Sequence, residues 1–110
     1  MDTYYHPTDL AKFPEIGRSA PGLAQKFFDW YGEVFRDGAL TAREKSLIAL
    51  GVAHAVQCPY CIDAYTQDTL SKGCDLDQIT EAVHVAAAIR GGASLVHGVQ
   101  MRNVATKVGM

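Results

Sequence analysis

Thr41-Ala42-Arg43-Glu44-Lys45-Ser46-Leu47-Ile48-Ala49-Leu50, continuing through Gly51-Val52-Ala53-His54-Ala55-Val56-Gln57 into Cys58-Pro59-Tyr60-Cys61, is the stretch that decides the fold. Thr41 and Glu44 have the spacing of a capping box, in which each side chain satisfies a free backbone N–H of the first helical turn. The residues that follow are apolar on most sides, which predicts a central helix. That helix is expected to break at Gln57-Cys58, because Pro59 disfavours helical geometry at the residue before it. Pro59 suits the first turn of a new helix, where its missing N–H costs nothing.

Working outward, the rest of the chain is also helical in pattern. Asp9 to Ile16 reads as a short first helix ended near Gly17. Pro21 opens a second, running to about Phe35, with Leu23, Phe27, Phe28, Tyr31, Val34 and Phe35 spaced by threes and fours. The helix begun at Pro59 should reach Lys72, with Gly73 as its C-cap. Asp75 caps the next, with Gln78 three residues on. Gly91-Gly92 is expected to interrupt this helix, and a last one should run from Ala93 to about Lys107. No stretch alternates with period two, so the fold class is all-α, a single domain over residues 1–110 with about six helices.

Composition narrows the function. The 110 residues carry a formal net charge of −2, with 48% apolar and 20% charged residues. No basic block points to nucleic acid, and no polybasic stretch points to an anionic membrane. The apolar runs fall short of a membrane span. The N-terminal residues lack the basic start and apolar stretch of a signal peptide, so we expect a cytoplasmic protein. Thiols there stay reduced unless they turn over. So many helices in so short a chain leave much apolar surface for a small core, which predicts a homo-oligomer.

Cys58-Pro59-Tyr60-Cys61 is the chemical centre. Two cysteines three positions apart can pass between dithiol and disulfide without moving the fold, and this spacing reads as a redox pair. Cys58 falls at a helix N-cap and Cys61 in the first turn. Unpaired N–H groups and the positive end of the helix dipole there favour thiolate over thiol.

The run from Leu40 to Leu50, and then Cys58-Pro59-Tyr60-Cys61-Ile62-Asp63-Ala64, resembles the carboxymuconolactone decarboxylase superfamily, and within it the alkylhydroperoxidase (AhpD-like) branch. The run Cys58 to Tyr65 is also similar to peroxidase-like proteins linked to arsenosugar biosynthesis. The resemblance implies a compact orthogonal-type helical bundle that assembles as trimers or hexamers. It implies a thiol-dependent peroxidase or disulfide reductase acting on a small hydroperoxide or disulfide, re-reduced by a separate dithiol protein, with no cofactor and no metal. The branch usually carries a glutamate twelve residues before the first cysteine and a histidine four after the second. Those positions are Ser46 and Tyr65 here.

A base and a proton donor must then come from elsewhere. His54, four residues before Cys58, is a candidate replacement base, since imidazole is the side chain suited to acid–base work near neutral pH. Tyr65, on the helix face of Cys61, is a candidate hydrogen-bond donor. By the resemblance Cys61 attacks peroxide and Cys58 resolves, whereas the helix dipole favours Cys58 as the more acidic thiol. Ser46 is expected to bond to its own backbone. Glu44 is accounted for by the capping box. Cys74 reads as a turn residue, His84 and His97 as core or interface residues. Three other functions compete: a lactone decarboxylase, which has no use for a dithiol; a zinc site of His54, Cys58 and Cys61 with Cys74, His84 or His97; and a helical assembly module without activity.

Overall fold

The computed structural model describes residues 3–109; Met1, Asp2 and Met110 lie outside the described residues. The described residues form a 3₁₀ helix, Leu10–Arg18, and five α-helices: α1 Pro21–Val34, α2 Ala42–Ala55, α3 Pro59–Ser71, α4 Leu76–Val96 and α5 Gly98–Lys107. The all-α expectation is met, and α2 is central, packed against both α3 and α4.

Both capping boxes form. Thr41 Oγ1 accepts from Glu44 N at 3.1 Å while Glu44 Oε1 accepts from Thr41 N at 2.9 Å. Asp75 and Gln78 exchange the same pair at 2.8 and 2.9 Å. Those bonds hold the exposed Glu44 carboxyl below the usual carboxylate range, the backbone bond at Thr41 contributing most.

Two expectations are corrected. The first helix is a 3₁₀ helix displaced toward Arg18, with Pro14 inside it; proline has no N–H for an α-helical bond there. Gly91-Gly92 does not interrupt α4, which runs on to Val96, and the break falls at His97. Glycine in a helix interior costs about 1 kcal/mol relative to alanine, which weakens a helix without ending it.

The core is small. Leu50, Cys74 and Ile79 form its buried centre, with Leu47 and Tyr65 packed against it. Gly51 faces the Ala82 carbonyl oxygen, which an added Cβ would meet at 3.5 Å, so α2 and α4 lie close together. Cys74 is buried in the turn between α3 and α4, not merely placed in it. Beyond Ala86, α4 and α5 are almost wholly exposed; His84 and His97 are both exposed, so neither histidine is a core residue of this chain. The radius of gyration is 18.9 Å, against about 13 Å for a closely folded chain of this length.

Candidate functional site

The path from α2 to α3 reverses at Gln57, whose φ is +58°, the one non-glycine residue with positive φ among the described residues. This left-handed turn follows the C-cap Val56 and delivers Cys58 to the head of α3. Cys58 is the N-cap, with extended backbone, and Pro59 takes the first helical position as expected.

Cys58 and Cys61 are joined as a disulfide, with Cα atoms 5.2 Å apart. Cys58 Sγ accepts a hydrogen bond from Cys61 N at 3.2 Å, the bond a serine or aspartate cap would accept. The N-terminal end of α3 therefore acts directly on the Cys58 sulfur. On reduction, that N–H and the helix dipole stabilise a Cys58 thiolate.

Two cavities reach this pair. One, of about 450 Å³, lies between α1 and α2 and ends at Cys61 and Tyr65. The other, of about 730 Å³, lies under the 3₁₀ helix and ends at both Cys58 and Cys61. Cys61 thus opens to both and Cys58 to one.

Tyr65 lines both cavities, as does Tyr31 of α1, and their hydroxyls are hydrogen bonded to each other. The Tyr65 ring is stacked on Phe35, centroids 5.2 Å apart. Burial, then the bond to Tyr31, pushes the Tyr65 phenol above its ordinary range. Tyr60, inside the cysteine motif, donates to Asp9 Oδ2 at 2.8 Å. That bond, more than burial, pushes Tyr60 up to about 12 and is the largest influence holding Asp9 low.

Ser46 is wholly buried and donates to Asp68 Oδ2 at 2.6 Å, not to its own backbone as expected. A buried hydroxyl must find a partner, and α3 packs one against it. Lys72 Nζ contacts the other Asp68 oxygen at 2.6 Å. Burial raises the Asp68 carboxyl, but the bonds from Lys72 and Ser46 outweigh it and leave it lowered. So an acid on α3 meets Ser46 of α2, the position at which the resemblance implies a glutamate.

His54 is half-buried, and its Nδ1 donates to the Leu50 carbonyl oxygen at 2.8 Å. It lines neither cavity. Among the described residues, no three His, Cys, Asp or Glu side chains converge as a metal-holding group, so the proposed zinc set is not brought together. Sequence reasoning missed Tyr31, Asp9 and Asp68. Asp68 carried a signal, lying three residues after Tyr65 on the same helix face. The other two come from elements far away in sequence.

A helical chain presenting a Cys-x-x-Cys pair at a helix N-terminus, beside tyrosine hydroxyls, is a thiol-bearing all-α protein. The carboxymuconolactone decarboxylase family model matches residues 21–101, and the chain belongs to that family. A Paracoccus denitrificans protein, described as uncharacterized protein 4 in cox locus, is 40% identical over 91 residues, covering 83% of this chain and 82% of that one. A solved protein from Methanobacterium thermoautotrophicum superposes with a TM-score of 0.73 at 31% identity, over 76% of this chain and 97% of its own. An apo carboxymuconolactone decarboxylase family protein from Legionella pneumophila gives 0.65 at 33% identity, over 84% and 80%. No helix among the described residues is long and apolar enough to cross a membrane.

Proposed function

We propose that this protein is a thiol-dependent peroxidase of the alkylhydroperoxidase type, working as a cytoplasmic homo-oligomer. One observation carries the reading: the Cys58–Cys61 disulfide sits at a helix N-terminus with Cys61 opening to two cavities.

In the reduced protein, the Cys61 thiolate attacks the terminal oxygen of a hydroperoxide. The O–O bond breaks, an S–O bond forms, and the alkoxide leaves with the electron pair. Tyr65, its proton held firmly, donates to that oxygen and is reprotonated from solvent. Cys61 is now a sulfenic acid. The Cys58 thiolate attacks its sulfur, hydroxide leaves and takes a proton, and the disulfide closes. Two thiols have lost two electrons, and the hydroperoxide has become an alcohol and a water.

Re-reduction needs an external dithiol protein. Its thiolate attacks the Cys61 sulfur, which both cavities reach, and Cys58 is the better leaving group because Cys61 N–H and the α3 dipole hold it as thiolate. The partner's second thiol then displaces Cys61. This assignment reconciles the two roles: the more acidic sulfur leaves, and the more accessible one is attacked.

The test is hydroperoxide consumption by reduced protein in single turnover, with sulfenic acid trapped chemically. Cys58→Ser should consume one equivalent and trap at Cys61; Cys61→Ser should consume none. Failure of the reduced wild-type protein to consume any hydroperoxide sinks the reading.

A further inference from the structure

The larger cavity is walled on its outer side by the 3₁₀ helix, which precedes the stretch matched by the family model. Its floor is the sulfur pair with Ala64, and its outer wall is Leu10, Phe13 and Ile16. Three connections hold that wall. Gly17 lies against Ala24, whose Cβ an added Cβ would meet at 2.8 Å, so only glycine lets the 3₁₀ helix approach α1 so closely. The Phe13 ring meets Phe28 edge-on, centroids 5.1 Å apart. Tyr60 and the His6 N–H both donate to Asp9 Oδ2, at 2.8 and 3.0 Å, tying the segment to the cysteine motif itself.

We infer that the 3₁₀ helix completes a binding pocket for a bulky, uncharged aromatic hydroperoxide above Cys58 and Cys61. Its volume, about 730 Å³, falls within the range of small-molecule sites, roughly 300–1,000 Å³. Phe13, Phe28, Tyr31, Tyr60 and Tyr65 all face it, and rings pack well against rings. The charged side chains of its lining, Asp9 and Lys12, are of opposite sign, and Asp9 accepts from Tyr60 and the His6 N–H. The chemistry rests on the peroxidase reading; the binding rests on the cavity alone. Hydrogen peroxide, which fills none of this volume, gains nothing from the wall.

The experiment uses the full chain and two readouts. Oxidised protein is titrated with 2-phenylpropan-2-ol, the alcohol left by cumene hydroperoxide, followed by NMR shifts. Reduced protein is assayed with cumene hydroperoxide and with hydrogen peroxide. Ile16→Ala alters a side chain that is 72% exposed and leaves all three connections in place, whereas Phe13→Ala also removes the Phe28 contact. Both should weaken alcohol binding about tenfold, and lower the cumene-to-hydrogen-peroxide ratio of kcat/KM by a similar factor. Leu76→Ala, at the exposed start of α4 and lining neither cavity, should change neither. No binding by the wild type, or binding indifferent to both wall variants, overturns the pocket. Alcohol binding that responds to the wall, without consumption of either hydroperoxide, sinks the peroxidase reading and leaves the pocket standing. Consumption with a ratio unmoved by the wall does the reverse.

Discussion

The hydroxyl of Tyr31 on α1 is hydrogen bonded to the hydroxyl of Tyr65 on α3, at a point shared by both cavities that reach Cys61. Residues 34 positions apart in sequence are thereby joined in one hydroxyl pair, the proton donor of the proposed reaction. Phe35 stacks on Tyr65 and fixes its plane. On the proposed peroxidase reading, with tyrosine where the resemblance implies a histidine, this phenol is the group placed to donate.

Tyr65→Phe should lower hydroperoxide turnover by about a hundredfold, at the low end of what a positioned general acid supplies. Tyr31→Phe should cost less, because it positions the donor without being the donor. The double variant should be little worse than Tyr65→Phe alone, as expected of residues acting as a unit. Burial and the Tyr31 bond raise the Tyr65 pKa, so the donor stays protonated, and its loss should set no alkaline limb below about pH 10. Stopped-flow kinetics across pH reads all three, and full activity in Tyr65→Phe removes the phenol from the mechanism.

Ser46→Ala tests the contact between α2 and α3. It strips one hydrogen bond from Asp68, leaving Lys72 as partner, and should destabilise by about 1.5–3 kcal/mol, the range for bonds to a charged group. Asp68 is lowered in the folded protein, so its contribution is present above the unfolded carboxylate pKa and lost as pH falls through the folded value. The gap between Ser46→Ala and wild type in urea unfolding should therefore narrow in acid. A gap that holds constant from neutral pH to pH 3 places the cost in packing, not in the charged bond.

The parts of this arrangement written locally were legible. Both capping boxes, the Pro59 helix start and the Cys58 N-cap follow from residues within a turn of one another, and all are present. Gly91-Gly92 misled because glycine costs a helix only about 1 kcal/mol per residue relative to alanine and does not by itself end one. Ser46 misled because a buried hydroxyl chooses among partners that only tertiary packing supplies. The wall of the larger cavity depends on Asp9 meeting Tyr60 across 51 positions, a pairing no periodicity encodes.

Gln57 carries the left-handed turn that sets Cys58 at the head of α3. A side chain in that conformation costs about 1–2 kcal/mol. Gln57→Gly relieves the steric cost but loosens the unfolded chain, so stability should move little. Gln57→Val, branched at Cβ, should destabilise by at least 1–2 kcal/mol and slow disulfide closure after sulfenic acid formation. Thermal unfolding and single-turnover closure rates measure the two effects; equal stability of the glycine and valine variants contradicts the turn argument.

His54 separates two sources of thiolate stabilisation. Its Nδ1 is spent on the Leu50 carbonyl and its ring faces neither cavity, whereas Cys58 Sγ receives a backbone N–H. His54→Ala should leave the thiolate absorbance titration of the reduced protein unchanged. A thiol pKa that rises in His54→Ala instead makes the imidazole the activating base, and moves the charge balance from the helix end to the side chain.

The apolar surface predicts the assembly state. Accessible surface is 8551 Å², whereas a folded monomer of 11.9 kDa exposes about 5,900 Å². The excess is larger than one partner's share of a standard interface, about 800 Å², so more than one contact is implied. Its apolar part is organised. Val85 and Ile89 project one turn apart from α4, followed by Val96, Val99 and Val104 toward the C-terminus, all more than half exposed. We expect sedimentation to give a mass several times 11.9 kDa. Ile89→Glu places a charge in the middle of that face without touching the Leu50–Cys74–Ile79 core, and should shift the mass distribution down at equal concentration. Helicity by circular dichroism distinguishes dissociation from unfolding, because α2 and α3 keep their own contacts in a dissociated chain. A wild-type protein that sediments at 11.9 kDa at all concentrations shows that the exposed α4–α5 face is not an interface between copies.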